Sequence, residues 1–417
     1  MLKKIASNTF AQLVAKFVGA GLTFLTTALI IRLSGTTIFG ELTKSLALVA
    51  IGFTIIDFGL NAVVVRNFGK DGNLSQNFRE LLLTRLLLSV VVVIGINLLI
   101  QFLSGGYTGE IKSVFWIGSL AIIFQGVFTS CNAVFQSREN YWKSTIAIIL
   151  GTTLGAGLTY YYTLHSPTLA HFLEANTVGY FVMALTSLLL TRIPLFKTGK
   201  TLSNVLVLFR SALPLGAILL ASVVASKIDT IIMGIYRTSS EVGEYGFAYR
   251  IFDVILVLPA FIMNAVYPRL VKENIEKSLK LIKRISVFMF VSGVLIAIVS
   301  YYISPLILLI RPNLLLSVAS LRVLVLSLPL FFLTAPLMWQ QISLHQEKKL
   351  LKIYLIAALI NGSLNFIFTP TYGAISAAIV TGITELFIYL ALLYSGKFNS
   401  TKPLNNPISL LNLDPKL

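Results

Sequence analysis

The sequence predicts an all-α integral membrane protein with about 12 transmembrane helices. Its mean hydropathy is +0.86, and 56% of its 417 residues are hydrophobic whereas only 12% are charged. Apolar segments of roughly 20 residues recur along the chain, and about 20 helical residues cross a bilayer core of ~30 Å. The chain therefore has no room for a sizeable soluble domain, and its function lies in or across a membrane.

The apolar segments define the predicted spans in chain order. Lys3 and Lys4 precede the first segment, as in a signal peptide, but the apolar run continues to Ile31, which predicts an uncleaved first helix. An even number of spans places both termini on one side of the membrane. The predicted spans are 8–32, 41–66, 86–104, 114–135, 145–163, 173–191, 212–234, 246–267, 286–309, 323–343, 353–370 and 375–395.

Lysine and arginine are distributed unequally between alternate connecting segments. With the N-terminus inside, 24 of the 33 basic residues fall in inner segments, five in outer segments and four within spans. Cytoplasmic loops of membrane proteins retain Lys and Arg, so both termini are predicted to be cytoplasmic. The same rule explains the net charge of +17, and we expect no nucleic-acid partner.

The two halves of the chain resemble each other at an offset of 203 residues. The offset aligns Asn61–Arg66 with Asn264–Arg269, and Gly40-Glu41 with Gly243-Glu244. Six spans per half preserve orientation, which predicts a pseudo-two-fold axis along the membrane normal. A single unrepeated bundle is the alternative. The predicted parts are an N-terminal six-helix lobe with its linker at 1–206, a C-terminal six-helix lobe at 207–396 and a cytoplasmic tail at 397–417.

Motifs for covalent or metal chemistry are missing from the sequence. Cys131 is the single cysteine, and the three histidines are scattered, so neither an internal disulfide nor a metal-ligand spacing is present. There is no HExxH, GxSxG or P-loop pattern. We expect no enzyme activity, no cofactor and no metal site.

Charged residues within the spans are the candidate functional groups. A charge at the bilayer centre costs about 2.5–3.5 kcal/mol on the insertion scale, so it normally faces the bundle interior or a watery cavity. The candidates for a cationic substrate path are Lys16, Lys44, Lys227 and Arg250 within spans, together with Arg32 of an outer segment, and those for ion coupling or charge pairing are Asp57, Asp229, Asp253 and Glu385.

The second half holds four of these charges in two closely spaced pairs. Arg250 and Asp253 lie three residues apart and share one helix face, where they can form an internal ion pair. The alternative is that Arg250 contacts a substrate. Lys227 and Asp229 lie two apart and point to different faces. We therefore expect Asp229 to reach another helix and Lys227 to be left for the central cleft.

The remaining candidates also have structural alternatives. Lys16 lies about 12 Å inside its helix, whereas Lys44 is near an outer end and can snorkel to the surface. Asp57 can fix its helix against basic loop residues, and Glu385 can pair with a cation of another helix. No intramembrane charge has a charged counterpart at the 203-residue offset, which favours an asymmetric substrate.

The segment 361–385 resembles the last two helices of bacterial polysaccharide-unit flippases of the Wzx type. That family belongs to the superfamily that also holds multidrug exporters and the lipid II flippase. Two further segments are similar to it, Phe39-Gly40 with 57–60 in the first half and 227–229 with 242–245 in the second. The matching elements of 361–385 are Asn365, Pro370, the turn Tyr372-Gly373-Ala374, Ala377-Ala378 and Glu385.

The resemblance implies two lobes that open alternately and move a polyprenyl-diphosphate-linked oligosaccharide from the inner to the outer leaflet of the cytoplasmic membrane. Such units build surface polysaccharides such as O-antigen or exopolysaccharide. A sugar-diphosphate head is a large polar anion, so the path must be wet and cationic. Membrane lipid and other polysaccharide-assembly proteins are further partners. A cation-coupled multidrug exporter on the same scaffold and a membrane polysaccharide polymerase are the alternatives.

Overall fold

The computed structural model describes residues 2–61, 74–193, 202–272, 275–344 and 346–399, and every regular element within them is helical. Nine described helices are long and apolar enough to cross a membrane, or ten when one bent pair counts as a single span. The prediction of an all-α membrane protein is confirmed. The 61–66 half of the repeated motif lies outside the described residues except for Asn61.

The N-terminal lobe contains six spans. The fourth span is interrupted at Leu120, where α4 passes into α5. The fifth, α6, is long enough to span but less apolar than its neighbours because it carries three glycines and five threonines between positions 141 and 165. The helices are α1 (Leu2–Leu33), α2 (Thr36–Asp57), α3 (Leu74–Phe102), α4 (Gly109–Ser119), α5 (Ala121–Ser137), α6 (Tyr141–His165) and α7 (Leu169–Thr191).

The C-terminal lobe also supplies six spans. Its fourth span is bent by 43° between α11 and α12. The last helical segment, α13, holds two spans because Gly373 has non-helical backbone angles, φ 61° and ψ −140°. The helices are α8 (Leu202–Tyr236), α9 (Ser239–Lys272), α10 (Ile275–Ile303), α11 (Leu315–Leu326), α12 (Leu328–Ser343) and α13 (Glu347–Asn399), with a 3₁₀ turn at Ser304–Leu309.

The break in α13 is held by an ion pair from the α8–α9 turn. Arg237 Nε donates to Glu241 Oε2 at 2.8 Å, and Arg237 Nη1 donates to the carbonyl of Pro370 at 3.2 Å. Glu241 Oε1 accepts from the backbone nitrogen of Ala374 at 2.8 Å. Arg237 thus binds a carbonyl at the C-terminal end of the first half of α13, and Glu241 binds a backbone nitrogen at the N-terminal end of the second half. The helix dipole favours a cation at the first position and a carboxylate at the second. A side chain at Gly373 would overlap Glu241.

Helices α2 and α9 form the contact between the lobes at one end of the bundle, called the outer end after the orientation that the basic residues predict. An added Cβ on Gly40 would overlap the carbonyl of Ser239, and one on Gly243 would overlap the carbonyl of Thr36. Thr36 is equivalent to Ser239, and Gly40 to Gly243, at the 203-residue offset. The Gly40–Ser239 contact and the Gly243–Thr36 contact are therefore the same contact seen from the two lobes. Such reciprocal contacts are what a two-fold axis produces.

The register of the two helices fixes the direction of that axis. Thr36 lies against Ser240 with side-chain oxygens 2.6 Å apart, and Thr43 packs on Gly246 further along. Both helices therefore run away from the contact in the same direction, so the axis lies along the membrane normal. The predicted symmetry is confirmed. The lobe boundary at 206/207 stays a prediction because 194–201 lie outside the described residues.

Lys44 binds the two lobes together at this outer contact. It is fully buried, and its ammonium donates to the carbonyl of Gly106 and to Ser239 Oγ, each at 2.8 Å. Gly106 belongs to the loop between α3 and α4, whereas Ser239 begins α9. The expectation that Lys44 snorkels to the surface is therefore wrong, because packing of this loop against the end of α8 encloses the ammonium.

Asp57 pairs with a buried arginine within the bundle. Arg85 is fully buried, and its Nη2 lies 2.8 Å from Asp57 Oδ1 and 3.0 Å from Asn61 Oδ1. Its Nη1 donates to Ser130 at 3.3 Å. The charge count assigns Arg85 to a cytoplasmic segment, but the structure places it inside α3. Asp57 thus fixes α2 against α3 and α5 rather than against a loop.

We expect Arg85→Met to destabilise the N-terminal lobe. The substitution leaves the Asp57 carboxylate without its counter-charge, and because that side chain is 34% exposed the loss should lie below the ~3–5 kcal/mol of a fully buried pair. Thermal unfolding of the purified protein should shift to lower temperature, and Asp57→Asn in the same chain should recover part of the loss. Arg138→Met, at an exposed arginine, is the control. Equal unfolding temperatures for the Arg85 and Arg138 variants would contradict the assignment.

Candidate functional site

A cavity of about 360 Å³ opens inside the N-terminal lobe. Helices α1, α2, α5, α6 and α7 line it, and most of the α6 lining consists of glycine and threonine residues. Most of its polar groups are uncharged hydroxyls and amides, and one residue of the lining carries a charge. The polar lining residues are Thr23, Thr26, Thr27, Gln125, Thr152, Thr159, Asn176, Tyr180 and Arg250.

Arg250 is the charged residue of this lining, and it comes from the other lobe. It lies on α9, one turn beyond the Gly246 contact with Thr43, so it reaches across the lobe boundary. Among the described residues, Arg250 has no ion-pair partner within 4.0 Å. Asp253 instead lies 3.9 Å from Lys227, measured between Oδ2 and Nζ. The Arg250–Asp253 pair that the spacing allows is therefore not formed.

A second cavity of about 290 Å³ occupies the C-terminal lobe. The charged residue of its lining is the buried Glu385 of α13. The second cavity therefore carries a carboxylate where the first carries the guanidinium of Arg250. Asn361 and Thr384 also line it, and the amide of Asn361 donates to Thr384 at 3.0 Å. Its aromatic lining residues are Tyr249, Phe331, Trp339 and Tyr354.

The two cavities are equivalent under the internal repeat. Several residues that line the first cavity are related at the 203-residue offset to residues that line the second. The duplication therefore preserved the position of the cavities while their charges diverged, with a cation in one and a carboxylate in the other. The related pairs are Leu22 and Ala225, Thr23 and Ser226, Leu46 and Tyr249, Phe128 and Phe331, and Gly151 and Tyr354.

Lys227 lies close to Arg250 in depth. Lys227 is about 14 Å from the outer end of α8, and Arg250 is about 16 Å from the start of α9. The Lys227 ammonium lies over the Tyr249 ring at 5.0 Å from its centroid, and both Lys227 and Asp253 are partly exposed. Their 3.9 Å separation is a loose ion pair, so the ammonium can exchange partners at small cost.

Asp229 is held within the C-terminal lobe. It is buried, and its Oδ2 accepts from the Tyr245 hydroxyl of α9 at 2.5 Å. Its Oδ1 accepts from the backbone nitrogen of Thr230 at 2.5 Å. The structure thus places Asp229 against a second helix, and the hydrogen bonds occupy both carboxylate oxygens.

Lys16 lies near the middle of α1, whereas Arg32 lies at its outer end. Lys16 is exposed, with its ammonium 4.9 Å from the ring centroid of Phe261 on α9. Phe17 stacks on the same ring at 6.4 Å, so α1 and α9 meet across the lobe boundary near the inner end. Arg32 is exposed at the outer end of α1.

The structure therefore groups only some of the sequence candidates. Arg250, Lys227 and Asp253 lie at a similar depth, whereas Lys16 contacts α9 further along at Phe261 and Arg32 lies at the outer end of α1. Lys44, Asp57 and Asp229 are engaged in structural contacts, and Glu385 lies in the other cavity. Within the described ranges, no three His, Cys, Asp or Glu side chains converge as a metal site would require.

Two residues of the first cavity are not found by a search for charges. Gln125 and Asn176 line it, and the side-chain oxygen of each is buried without a hydrogen-bond partner among the described residues. Both amides occur within predicted apolar spans, where a polar group needs a partner. That placement is a sequence signal equivalent to an intramembrane charge, and it points to these two residues.

Helices α6 and α7 pack closely beside the cavity through glycine. An added Cβ on Gly151 would come within 2.5 Å of the Gly179 carbonyl, and one on Gly155 within 3.2 Å of the Ala175 carbonyl. The GxxxG spacing in α6 thus supports close helix packing. This packing sets the distance between the α6 threonines and Asn176 of α7 across the cavity wall.

Comparison with known proteins finds similar proteins among transporters. The chain is 23% identical to a candidate O-antigen transporter of Shigella dysenteriae over 369 residues, which cover 86% of this chain and 91% of that protein. The lipid II flippase MurJ in its inward closed conformation superposes with a TM-score of 0.76 at 16% identity, covering 95% of this chain and 94% of that chain.

An inward-facing multidrug resistance transporter of the MATE family, from the MOP superfamily, superposes with a TM-score of 0.68 at 15% identity. The match covers 94% of this chain and 99% of that chain. These relatives are transporters and a flippase rather than enzymes, so the prediction of a non-enzyme is confirmed and the polymerase alternative is wrong. The family model described as "Polysaccharide biosynthesis protein" matches residues 5–274. The chain is a member of that polysaccharide biosynthesis family.

Proposed function

We propose that the protein is a flippase that moves a polyprenyl-diphosphate-linked oligosaccharide from the inner to the outer leaflet of the cytoplasmic membrane, for surface polysaccharide biosynthesis. Membership of the polysaccharide biosynthesis family supports the pathway. A relative described as a candidate O-antigen transporter and the fold of a lipid II flippase support the class of substrate.

The observation that carries the proposal is the position of Arg250. Its guanidinium lines a polar cavity at the lobe boundary without an ion-pair partner among the described residues. A guanidinium matches the geometry of phosphate oxygens and forms charge-assisted hydrogen bonds with them. A diphosphate bound there would supply the missing counter-charge.

Other cations extend this site along the membrane normal. Lys16 lies towards the inner end and attracts the head group as it enters, and Lys227 lies at the depth of Arg250. The loose contact of Lys227 with Asp253 leaves the ammonium free to turn to a diphosphate. Arg32 lies at the outer end of α1, where the head group leaves. An inside-negative potential favours outward movement of an anion by about 2.3 kcal/mol per charge per 100 mV.

Alternating access follows from the way the lobes meet. The outer contact of α2 and α9 joins the lobes through glycine and small hydroxyl residues, and Lys44 adds one hydrogen bond across it, to the neutral hydroxyl of Ser239. No ion pair across the contact would have to break for the lobes to separate there, among the residues that the structure describes. The two-fold axis along the membrane normal gives the lobes the same orientation as they rock.

A cation-coupled multidrug exporter is the second candidate function. The C-terminal cavity combines the buried Glu385 with four aromatic side chains, which suits an organic cation. The two functions predict opposite sensitivities. An exporter would lose drug extrusion with Glu385→Gln and retain it with Arg250→Gln, whereas a flippase would lose polysaccharide export with Arg250→Gln.

We expect Arg250→Gln to lower surface polysaccharide at least tenfold at matched membrane abundance. Loss of a charge-assisted hydrogen bond of about 1.5–3 kcal/mol corresponds to roughly 10–100-fold in binding. The fold should persist because Asp253 keeps its contact with Lys227. Arg322→Gln is the matched control, since Arg322 donates to Ser304 and lines neither cavity. Wild-type export by the Arg250 variant would refute the diphosphate role.

We expect a disulfide between Thr36→Cys and Ser240→Cys to stop export reversibly. The two side-chain oxygens are 2.6 Å apart across the lobes, so oxidation should link them in a Cys131→Ser background. Export should fall with the linked fraction and return after reduction. Asn97→Cys with Ser119→Cys, a pair that is in contact within one lobe, should link without effect. Export by fully linked Thr36/Ser240 protein would exclude alternating access.

We expect both termini to be cytoplasmic, because most of the basic residues lie in the inner segments. In a Cys131→Ser background, an impermeant maleimide should label Ser113→Cys in intact cells. It should label Lys348→Cys only after the inner face is made accessible. All three sites suit the test because Ser113 and Lys348 are exposed and Cys131 is buried. Labelling of Lys348→Cys from outside would reverse the orientation.

A further inference from the structure

We propose that the N-terminal cavity binds the uncharged sugar that is attached directly to the diphosphate, and that Gln125 and Asn176 are its specificity-determining residues. The inference rests on the proposed function and names the part of the substrate that this cavity recognises. It follows from the hydrogen-bonding state of the cavity wall, its charge and its size.

The cavity wall holds two hydrogen-bond acceptors that lack a donor. Gln125 Oε1 and Asn176 Oδ1 are buried without a partner among the described residues, and both residues line the cavity. An unpaired buried acceptor destabilises a folded protein, so such a group needs an explanation beyond folding. A ligand that donates hydrogen bonds would satisfy both oxygens.

The threonine hydroxyls of the wall are arranged as acceptors too. Thr26, Thr152 and Thr159 donate their protons to carbonyls of their own helices, at 2.9, 2.7 and 2.8 Å. A hydroxyl that donates in this way keeps lone pairs for accepting. The wall therefore presents acceptors from α1, α5, α6 and α7, which suits a ligand rich in hydroxyl donors.

The charge and size of the cavity select a sugar among such ligands. Arg250 is the charged residue of the lining, so an organic cation is repelled while a hydroxyl-rich group tethered to a diphosphate is accepted. A lipid chain would leave the amide oxygens unpaired. The volume of about 360 Å³ is at the low end of ligand pockets, about 300–1,000 Å³, and accommodates one or two sugar rings.

The C-terminal cavity provides an internal comparison. Its amide, Asn361, donates to Thr384, and Asn365 donates to Asn361. The amides there already form a connected network, whereas those of the equivalent N-terminal cavity do not. The duplication therefore produced one cavity whose polar groups satisfy each other and one whose acceptors need an external donor.

The test compares four lipids on the purified full-length protein. They are polyprenyl diphosphate and the same lipid carrying glucose, galactose or N-acetylglucosamine, with binding measured by native mass spectrometry. For wild type, at least one sugar should strengthen binding about tenfold over the bare diphosphate. Gln125→Met with Asn176→Leu should remove that difference and leave binding of the bare diphosphate unchanged. The unfolding temperature of this double variant should not fall, because the lost oxygens have no partner.

Two controls separate this inference from the proposed function. Gln341→Met removes another buried unpaired amide oxygen at a residue that lines neither cavity, and it should keep the preference for the sugar. Arg250→Gln should weaken all four lipids alike. If no sugar strengthens binding while Arg250→Gln still weakens the bare diphosphate, the sugar site is refuted and the proposed function stands. If the wild type binds none of the lipids, the proposed function fails as well.

Discussion

The close contact of α2 and α9 at the outer end is the constraint on which the rest of the structure depends. Gly40 and Gly243 allow the two helix backbones to touch on the pseudo-two-fold axis, where any side chain would overlap a carbonyl. This contact sets how the lobes face each other. It also directs Arg250, further along α9, across the boundary into the N-terminal cavity. Lys44 strengthens the same contact with a hydrogen bond to the neutral hydroxyl of Ser239, which leaves the lobes able to separate.

The helix framework of the two lobes is symmetric, whereas the polar residues of their cavities differ. The duplication preserved helix order, the glycine contact and the position of a cavity in each lobe. The polar groups of the two cavities then diverged, with Arg250 facing one and Glu385 the other. A charged side chain inside a membrane is energetically costly, so such residues are retained where they form an ion pair or contribute to function. The Asp57–Arg85 pair illustrates the first case, and Arg250 illustrates the second.

The spacing of charged residues along the sequence did not predict which ion pairs form in the structure. Arg85 lies near a run of loop residues in the sequence, yet it is buried in the bundle because its helix begins as early as Leu74. Arg250 and Asp253 share a helix face, but Arg250 lines the N-terminal cavity while Asp253 contacts Lys227 of α8. In both cases the partner comes from a different helix, and spacing along one helix carries no information about it.

The sequence by itself determined the membrane class, the number of spans, the repeat and the family. These features depend on hydropathy, on period and on short motifs, all of which are local in the chain. The break in α13 also belongs here, since Pro370 and Gly373 mark it directly. Only the tertiary structure decided which charges are structural and which face a cavity. That distinction depends on packing between helices distant in sequence, as Lys44 and Arg250 show.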